Sequence, residues 1–301
     1  MRFAKHIVLG VSWVVCQQLC AQQQWMYTLN QFNPFESFSA MAGSYGEISV
    51  SARHRQQWMG VEGAPTSSQL AVHGPWDQAG WGIQLRSEST GARRMDLIRA
   101  TGAYRLKLKS SELSFALNAG LLRYQLDVEG LNVQDNTDLA FSNGNLHGAI
   151  PVVDFSAALR AEHVLFAVQA NHINQPIIGW IASSTGKQVM QLDALVAADI
   201  HLSDKIELRP SLSTRYISAA PMSWDLVALL RWNEILWLGG GYRSEGMALG
   251  IVQWQVNDMM RIGYALDVAT VNQLSRPLSH ELFLGINVAA SDRTGPSMRH
   301  F

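Results

Sequence analysis

Leu113-Ser114-Phe115-Ala116-Leu117-Asn118-Ala119-Gly120-Leu121 is the stretch that decides the fold. Apolar side chains take the odd positions, and small or polar ones take the even positions. A repeat of two residues sends the two sets to opposite sides of an extended chain. The stretch therefore reads as a strand with one apolar and one polar face. Leu192 to Leu202 and Met260 to Val268 alternate in the same way, with the apolar residues at even positions.

Working outward, about fourteen such segments fill the chain: 45–56, 66–74, 79–88, 93–108, 112–128, 150–161, 163–173, 187–202, 205–218, 221–233, 235–244, 246–257, 259–271 and 278–290. Each suits a tilted membrane crossing, which takes about 9 to 11 residues. The composition agrees. Of 301 residues, 48% are hydrophobic and only 16% are charged, below the quarter usual in soluble domains. Mean hydropathy is nevertheless only +0.01. Beyond the N-terminus no apolar run approaches 18 residues, so no helix is predicted to span a membrane. Low charge without long apolar runs is the composition of an all-β transmembrane antiparallel up-and-down β-barrel. A net charge of −1 gives no reason to expect nucleic acid as a partner.

The connections support the barrel. Residues 75–78, 109–111, 162, 203–204, 234 and 258 form tight turns, whereas 57–65, 89–92, 129–149, 174–186 and 272–277 form mostly longer loops. Short turns at one end and long loops at the other are the outer-membrane arrangement, with the long loops extracellular and both termini periplasmic. The polar face carries Arg53, Arg86, Arg99, Arg209, Arg215, Arg231 and Arg261 together with Asp154, Asp193, Asp199, Glu207, Asp225, Asp267 and Glu281. Pointing inward, these would pair and fill a narrow lumen rather than line a wide pore. A solvated sandwich face is the other reading of such alternation. Trp224 and Trp232 lie about 20 Å apart along the membrane normal, at roughly 3.4 Å per residue and about 40° tilt. They suit two aromatic girdles, to which Trp81, Trp237 and Tyr264 are also assigned.

The domain plan has four parts. Residues 1–21 read as a signal peptide: Arg2 and Lys5 precede the short apolar core Ile7 to Val15, and Leu19-Cys20-Ala21 precedes Gln22. Gln17-Gln18-Leu19 makes a poor lipobox for Cys20. Cys16 and Cys20 leave with this segment, so the mature barrel has no cysteine for a disulfide or thiolate site. Residues 22–43 are expected to form a periplasmic segment, 44–290 the outer-membrane barrel, and 291–301 a polar tail.

Several short blocks follow one another along the chain. Asn33-Pro34-Phe35-Glu36 and Ala42-Gly43 come first, then Arg55-Gln56-Gln57-Trp58-Met59-Gly60-Val61-Glu62-Gly63-Ala64-Pro65, His73-Gly74-Pro75 and Gly80-Trp81-Gly82. Leu208-Arg209-Pro210, Asp225-Leu226, Gly241-Tyr242-Arg243, Gly263-Tyr264-Ala265-Leu266-Asp267 and Ser279-His280-Glu281 complete the series. In this order the blocks resemble the PorP/SprF outer-membrane proteins of the type IX secretion system of Bacteroidetes, the first as a lengthened version of the family's motif and the Arg55 to Pro65 block closely. The resemblance implies a non-enzymatic outer-membrane component that helps export or anchor cargo proteins, adhesins of gliding motility among them. It implies as partners other secretion components, including a periplasmic peptidoglycan-binding protein, and cargo or its C-terminal signal domain. Outer-membrane lipid would surround the barrel. A small-solute channel or porin is the alternative for the same barrel.

No motif supplies catalysis. Arg55, Trp58, Gly60, Gly63 and Pro65 fall at the first long loop and are the candidate partner-binding residues. Simple loop folding accounts for them equally. His280-Glu281 lacks a recognisable nucleophile partner. The nine histidines are scattered without a zinc spacing, so no metal or cofactor is expected. Asp135 to Asp138 has acidic character but no EF-hand spacing. Gly239-Gly240-Gly241 lies inside a predicted strand and reads as close packing.

Overall fold

The computed structural model describes residues 27–128, 146–181, 184–218, 220–270 and 278–288. Its strands are β1 (Ile48–Gln56), β2 (Thr66–Trp76), β3 (Ala79–Thr90), β4 (Arg93–Lys107), β5 (Ser111–Leu126), β6 (Leu146–Ala161), β7 (Val164–Asn171), β8 (Ile177–Ile181), β9 (Ser184–Lys187), β10 (Gln191–Ala198), β11 (Ile200–Ser203), β12 (Ile206–Ile217), β13 (Ser223–Trp232), β14 (Leu236–Arg243), β15 (Met247–Gln255), β16 (Met260–Ala269) and β17 (Ser279–Val288). Neighbours pair antiparallel in sequence order. β1 closes on β17 from Ile48–Val288 to Gln56–His280, and β7 reaches β12 through β10. The result is a closed barrel of 14 staves, with β10 and β11 sharing one stave. Closure matters because lipid offers no partner to an unpaired backbone group.

The sequence-based strands match these staves to within a few residues at their ends, β6 beginning at Leu146 inside the expected 129–149 loop, with two larger differences. The segment expected at 187–202 is broken at Asp199, whose N–H donates to the His163 carbonyl. Its carboxylate takes the Arg209 guanidinium. A side chain tied to its own neighbouring stave thus interrupts the ladder. The loop expected at 174–186 also holds structure, because β8 and β9 form a two-stranded ribbon of their own.

The two faces separate as predicted. On β5, Phe115, Leu117 and Leu121 point outward, Leu117 being 60% exposed, whereas Ala116, Asn118 and Leu122 are buried inside. Arg53, Arg99, Arg209, Arg231, Asp154, Asp199, Glu207, Asp267 and Glu281 are buried on the inner face. Trp237 is a correction. It is 7% exposed and lies inside, beneath the guanidinium groups of Arg209 and Arg231 at 4.8 and 5.3 Å. Leu236 and Leu238 take the outward positions on either side of it, so strand parity excludes Trp237 from the girdle. Trp232, 56% exposed, fits one.

The expected periplasmic segment is the larger correction. Residues 27–46 run through the lumen, in three single-turn 3-10 helices, Asn30–Phe32, Pro34–Glu36 and Ser39–Met41. Their path is set by their partners. Thr28 meets Asp267 and Glu281 at the long-loop end, Ser39 meets Gln169 midway, and Gly43 meets His73 near the short-turn end. The chain then reverses into β1. Residues 22–26, like 1–21, 291–301 and Asp135 to Asp138, lie outside the described residues.

Packing explains why this segment sits inside. Leu29 and Phe32 join Val227, Leu229, Ile251 and Phe283 in one cluster. Phe35, Phe38 and Met41 join another, whose wall is largely alanine: Ala71, Ala103, Ala116, Ala158, Ala167 and Ala197. Small inward side chains leave the room that the plug's aromatic rings fill, so the two form one core.

Candidate functional site

The plug is pinned at its N-terminal end by a buried ion network. Arg55 on β1 points Nη2 at Asp267 Oδ2, 2.6 Å away, and Nη1 at Glu281 Oε2, 3.1 Å away. Arg243 on β14 reaches the same Asp267 oxygen at 2.9 Å and grips Asp225 with Nε and Nη2 at 2.8 and 3.0 Å. Thr28 donates its hydroxyl to Asp267, and the Thr28 and Leu29 N–H groups donate to Glu281. Arg53 pairs with Glu36 at 2.8 Å and donates to Asn30 Oδ1 and the Leu29 carbonyl. Arg55, Asp267 and Glu281 are at most 2% exposed. Charges so buried persist only when paired and hydrogen-bonded, and the planar arginine fork suits two carboxylates at once. Three arginines thus face Glu36, Asp225, Asp267 and Glu281, with plug N–H and hydroxyl groups as added donors.

The other end is held by shape. Phe35 lies against His73, ring centroids 4.6 Å apart, and its ring occupies the space where Gly82 lacks a side chain. Gly80 gives the same room to the Ala42 carbonyl. Gly43, at φ +69°, donates its N–H to His73 Nδ1 at 2.9 Å. Arg105 donates to the Ala42 carbonyl at 3.0 Å. The Asn33–Glu36 and Gly80–Gly82 blocks are therefore two halves of one fit.

Beside the plug, towards the long-loop end, lies a vestibule of about 90 Å³. Tyr27 and Phe38 form part of its floor, and Leu97, Leu122 and Val227 line its wall. Its charged groups are of both signs. Asp193 takes Arg215 at 3.3 Å, and also the amides of Gln191 and Asn171. Arg99 holds Asp154 at 2.9 Å. Among the described residues no three potential metal ligands cluster. Paired charges and apolar walls suit contact with a partner.

The candidate residues do not act as one patch. Arg55 is a correction: it belongs to the buried network and cannot touch a partner at the surface. The others shape the loop at 57–65. Trp58, at φ +44°, donates its N–H to Ser279 Oγ at 3.2 Å, and the Met59 N–H donates to the Leu278 carbonyl. Gly63 accepts the Gly91 N–H, and Pro65 accepts that of Gln57, both at 2.9 Å. Gly60 and Gly63 take φ values of +90° and +70°. The loop lies as a strap over the start of β17 and the β3–β4 turn. It displays Met59 and Val61, 52% and 46% exposed. His280 and Glu281 point to opposite faces. His280 meets the Tyr264 hydroxyl outside, and Glu281 binds the plug inside.

The residues missed as functional were Thr28, Glu36, Asp267 and Glu281 acting together. One available signal was the presence of Glu36, Asp267 and Glu281 in the ordered blocks, one of which begins at Arg55. Another was Phe32, Phe35 and Phe38 at every third position, the spacing that stacks side chains on a 3-10 turn.

The chain matches the family described as type IX secretion system membrane protein PorP/SprF over residues 14–286. A search of the curated proteins finds no significant match. Among solved structures, the CymD monoaromatic hydrocarbon channel is similar at 8% identity with a TM-score of 0.51. That likeness covers 91% of this chain and 96% of the channel. The Acinetobacter baumannii outer membrane protein Omp33 is similar at 8% identity and a TM-score of 0.48, over 80% of this chain and 98% of that one. At such identity, likeness to CymD extends to the barrel fold alone.

Proposed function

This chain belongs to the PorP/SprF family of type IX secretion system membrane proteins, and from that premise we propose that it serves secretion by holding a protein partner at its long-loop end. The barrel is an outer-membrane component of that system. The observation that carries the proposal is the occupied lumen. Residues 27–46, locked by the Arg53, Arg55 and Arg243 network, fill the lumen and leave a small vestibule at the long-loop ends of the described strands. A vestibule with a closed floor binds and does not conduct, which disfavours the solute-channel alternative. In this reading the long loops face outward. Trp58, Gly60, Gly63 and Pro65 shape the strap that presents Met59 and Val61 to secreted cargo or its C-terminal signal domain. The short turns face the periplasmic machinery, including a peptidoglycan-binding component. The chemistry is contact alone, without catalysis.

Deleting the gene and comparing surface and secreted proteomes with the parent strain tests the reading. Loss of one or a few large surface proteins, with permeability unchanged, supports a dedicated secretion partner. Loss of many secreted proteins points to a core component. An intact proteome with altered solute uptake overturns the proposal in favour of the channel.

A further inference from the structure

At the long-loop ends of β4 to β6 the wall changes polarity. Lower down, the paired residues Ile98 and Leu121 face outward, and Arg99, Asn118 and Asp154 face inward. One row higher, the outward pair is Asp96 and Arg123. The next row pairs Arg94 with Gln125 and Gln125 with His147. Inside, at that height, Leu97, Leu122, Tyr124 and Ile150 form a buried apolar cluster. Polar outside and apolar inside is the pattern of a sheet standing in water, not in lipid. These strand ends therefore rise above the hydrocarbon as a flap whose apolar face continues the vestibule wall.

The flap has an open edge. β6 pairs with β5 along its full length, from Leu146 to Ala161, but with β7 only over Phe155 to Arg160. Just above, Val153 accepts the Ile173 N–H, and Asn174 bonds the Val153 N–H and the Pro151 carbonyl. Main-chain groups alternate along a strand, so odd residues of β6 face away from β5. Ala149 and His147 come next. Among the described residues no strand pairs with them on that side. Pro151 fits such an edge, because proline has no N–H to give a ladder. The β8–β9 ribbon lies in front, with Ile178 packed on the apolar cluster, but forms no ladder with β6. A two-stranded ribbon is a marginal structure by itself and makes no main-chain ladder that another strand would have to replace here.

We propose that an extended segment of the secreted protein adds as a strand to β6 beside His147 and Ala149, in front of Leu122 and Ile150. The edge itself selects this occupant. N–H and C=O groups at two-residue spacing that no described strand pairs are satisfied by another extended backbone and not by lipid. The two-faced flap further asks for a strand with apolar residues turned inward and polar ones outward. This inference rests on the secretion reading above and names how the partner is held.

The test uses the surface proteins lost on gene deletion as the probe. The variant His147→Pro/Ala149→Pro removes both edge donors and leaves the β5 ladder, carried by even residues, in place. We expect the surface level of those proteins to fall at least tenfold while the amount and heat-modifiability of the barrel stay unchanged. A photo-crosslinking residue at Ala149 in the otherwise native chain should form adducts with the same proteins. One at Leu202, at the short-turn end, should not. Normal display by the proline variant overturns the inference. If the variant lowers barrel levels, crosslinking decides: adducts from Met59 or Val61 with none from Ala149 overturn it. An intact surface proteome on deletion overturns the secretion reading itself, which separates the two failures.

Discussion

Arg55 shows what a single side chain does in this barrel. Its guanidinium serves Asp267 and Glu281 at once, and both carboxylates also receive groups from the plug. Removing one member leaves charge buried without compensation, a change that costs roughly 3 to 5 kcal/mol. Arg55→Ala should therefore lower the urea midpoint of unfolding in lipid vesicles by a corresponding amount. Arg94→Ala, at an ion pair whose arginine side chain is 58% exposed, should change it by at most about 1 kcal/mol. Equal losses would mean that the inner network is no stronger than a surface pair. None of this pairing was legible in the sequence beyond the residues' shared polar face. Arg55 and Glu281 are 226 positions apart, and which inward charges meet depends on how the barrel closes. For the same reason Arg55 read as a loop residue, since nothing local distinguishes the last inward position of a strand from the first of a loop.

Elements carry a different kind of information. The fourteen staves were legible because alternation is local and lipid enforces it on every strand. Leu117→Arg, which places a cation on the lipid-facing midplane, should cost about 2 to 4 kcal/mol in the same unfolding measurement. An unchanged stability would mean that β5 faces the other way. The plug was not read as an element because turns of three residues carry neither a two- nor a 3.6-residue period, and the phenylalanines at every third position, 32, 35 and 38, were its one local hint. The break at Asp199 and the β8–β9 ribbon escaped for a related reason, being events of a few residues inside or beside longer patterns. Glycine supplies the test of the plug. At Gly82 an added methyl would overlap the Phe35 ring. Gly82→Val should dislodge Phe35, so that residues 27–46 become cleavable by added protease while heat-modifiability of the barrel persists. Protection equal to wild type would show that the Phe35 seat is not what retains the segment.

The whole molecule behaves as a closed vessel only if both ends of the plug hold. One end is electrostatic, through Thr28, Leu29, Asp267, Glu281 and the arginines. The other is steric, through Phe35 against Gly82 and the Ala42 carbonyl against Gly80. Either anchor keeps residues 27–46 within reach of its seat, so losing one produces fraying and losing both frees the lumen. In planar bilayers the wild-type barrel should pass almost no current. Gly82→Val alone should give brief, partial openings. Gly82→Val with Glu281→Gln, which also weakens the hold of the Thr28 and Leu29 N–H groups and removes a carboxylate from Arg55, should give long-lived steps of much larger conductance. The inner charges then determine the sequel. With Glu281 neutral, Arg55 keeps only Asp267 and the lumen carries one negative charge fewer, so the opened double variant should favour anions, read as the sign of the reversal potential in a salt gradient. A wild-type barrel that already conducts in large steady steps would place the plug outside the permeation path, and would restore the solute channel as the function of this fold.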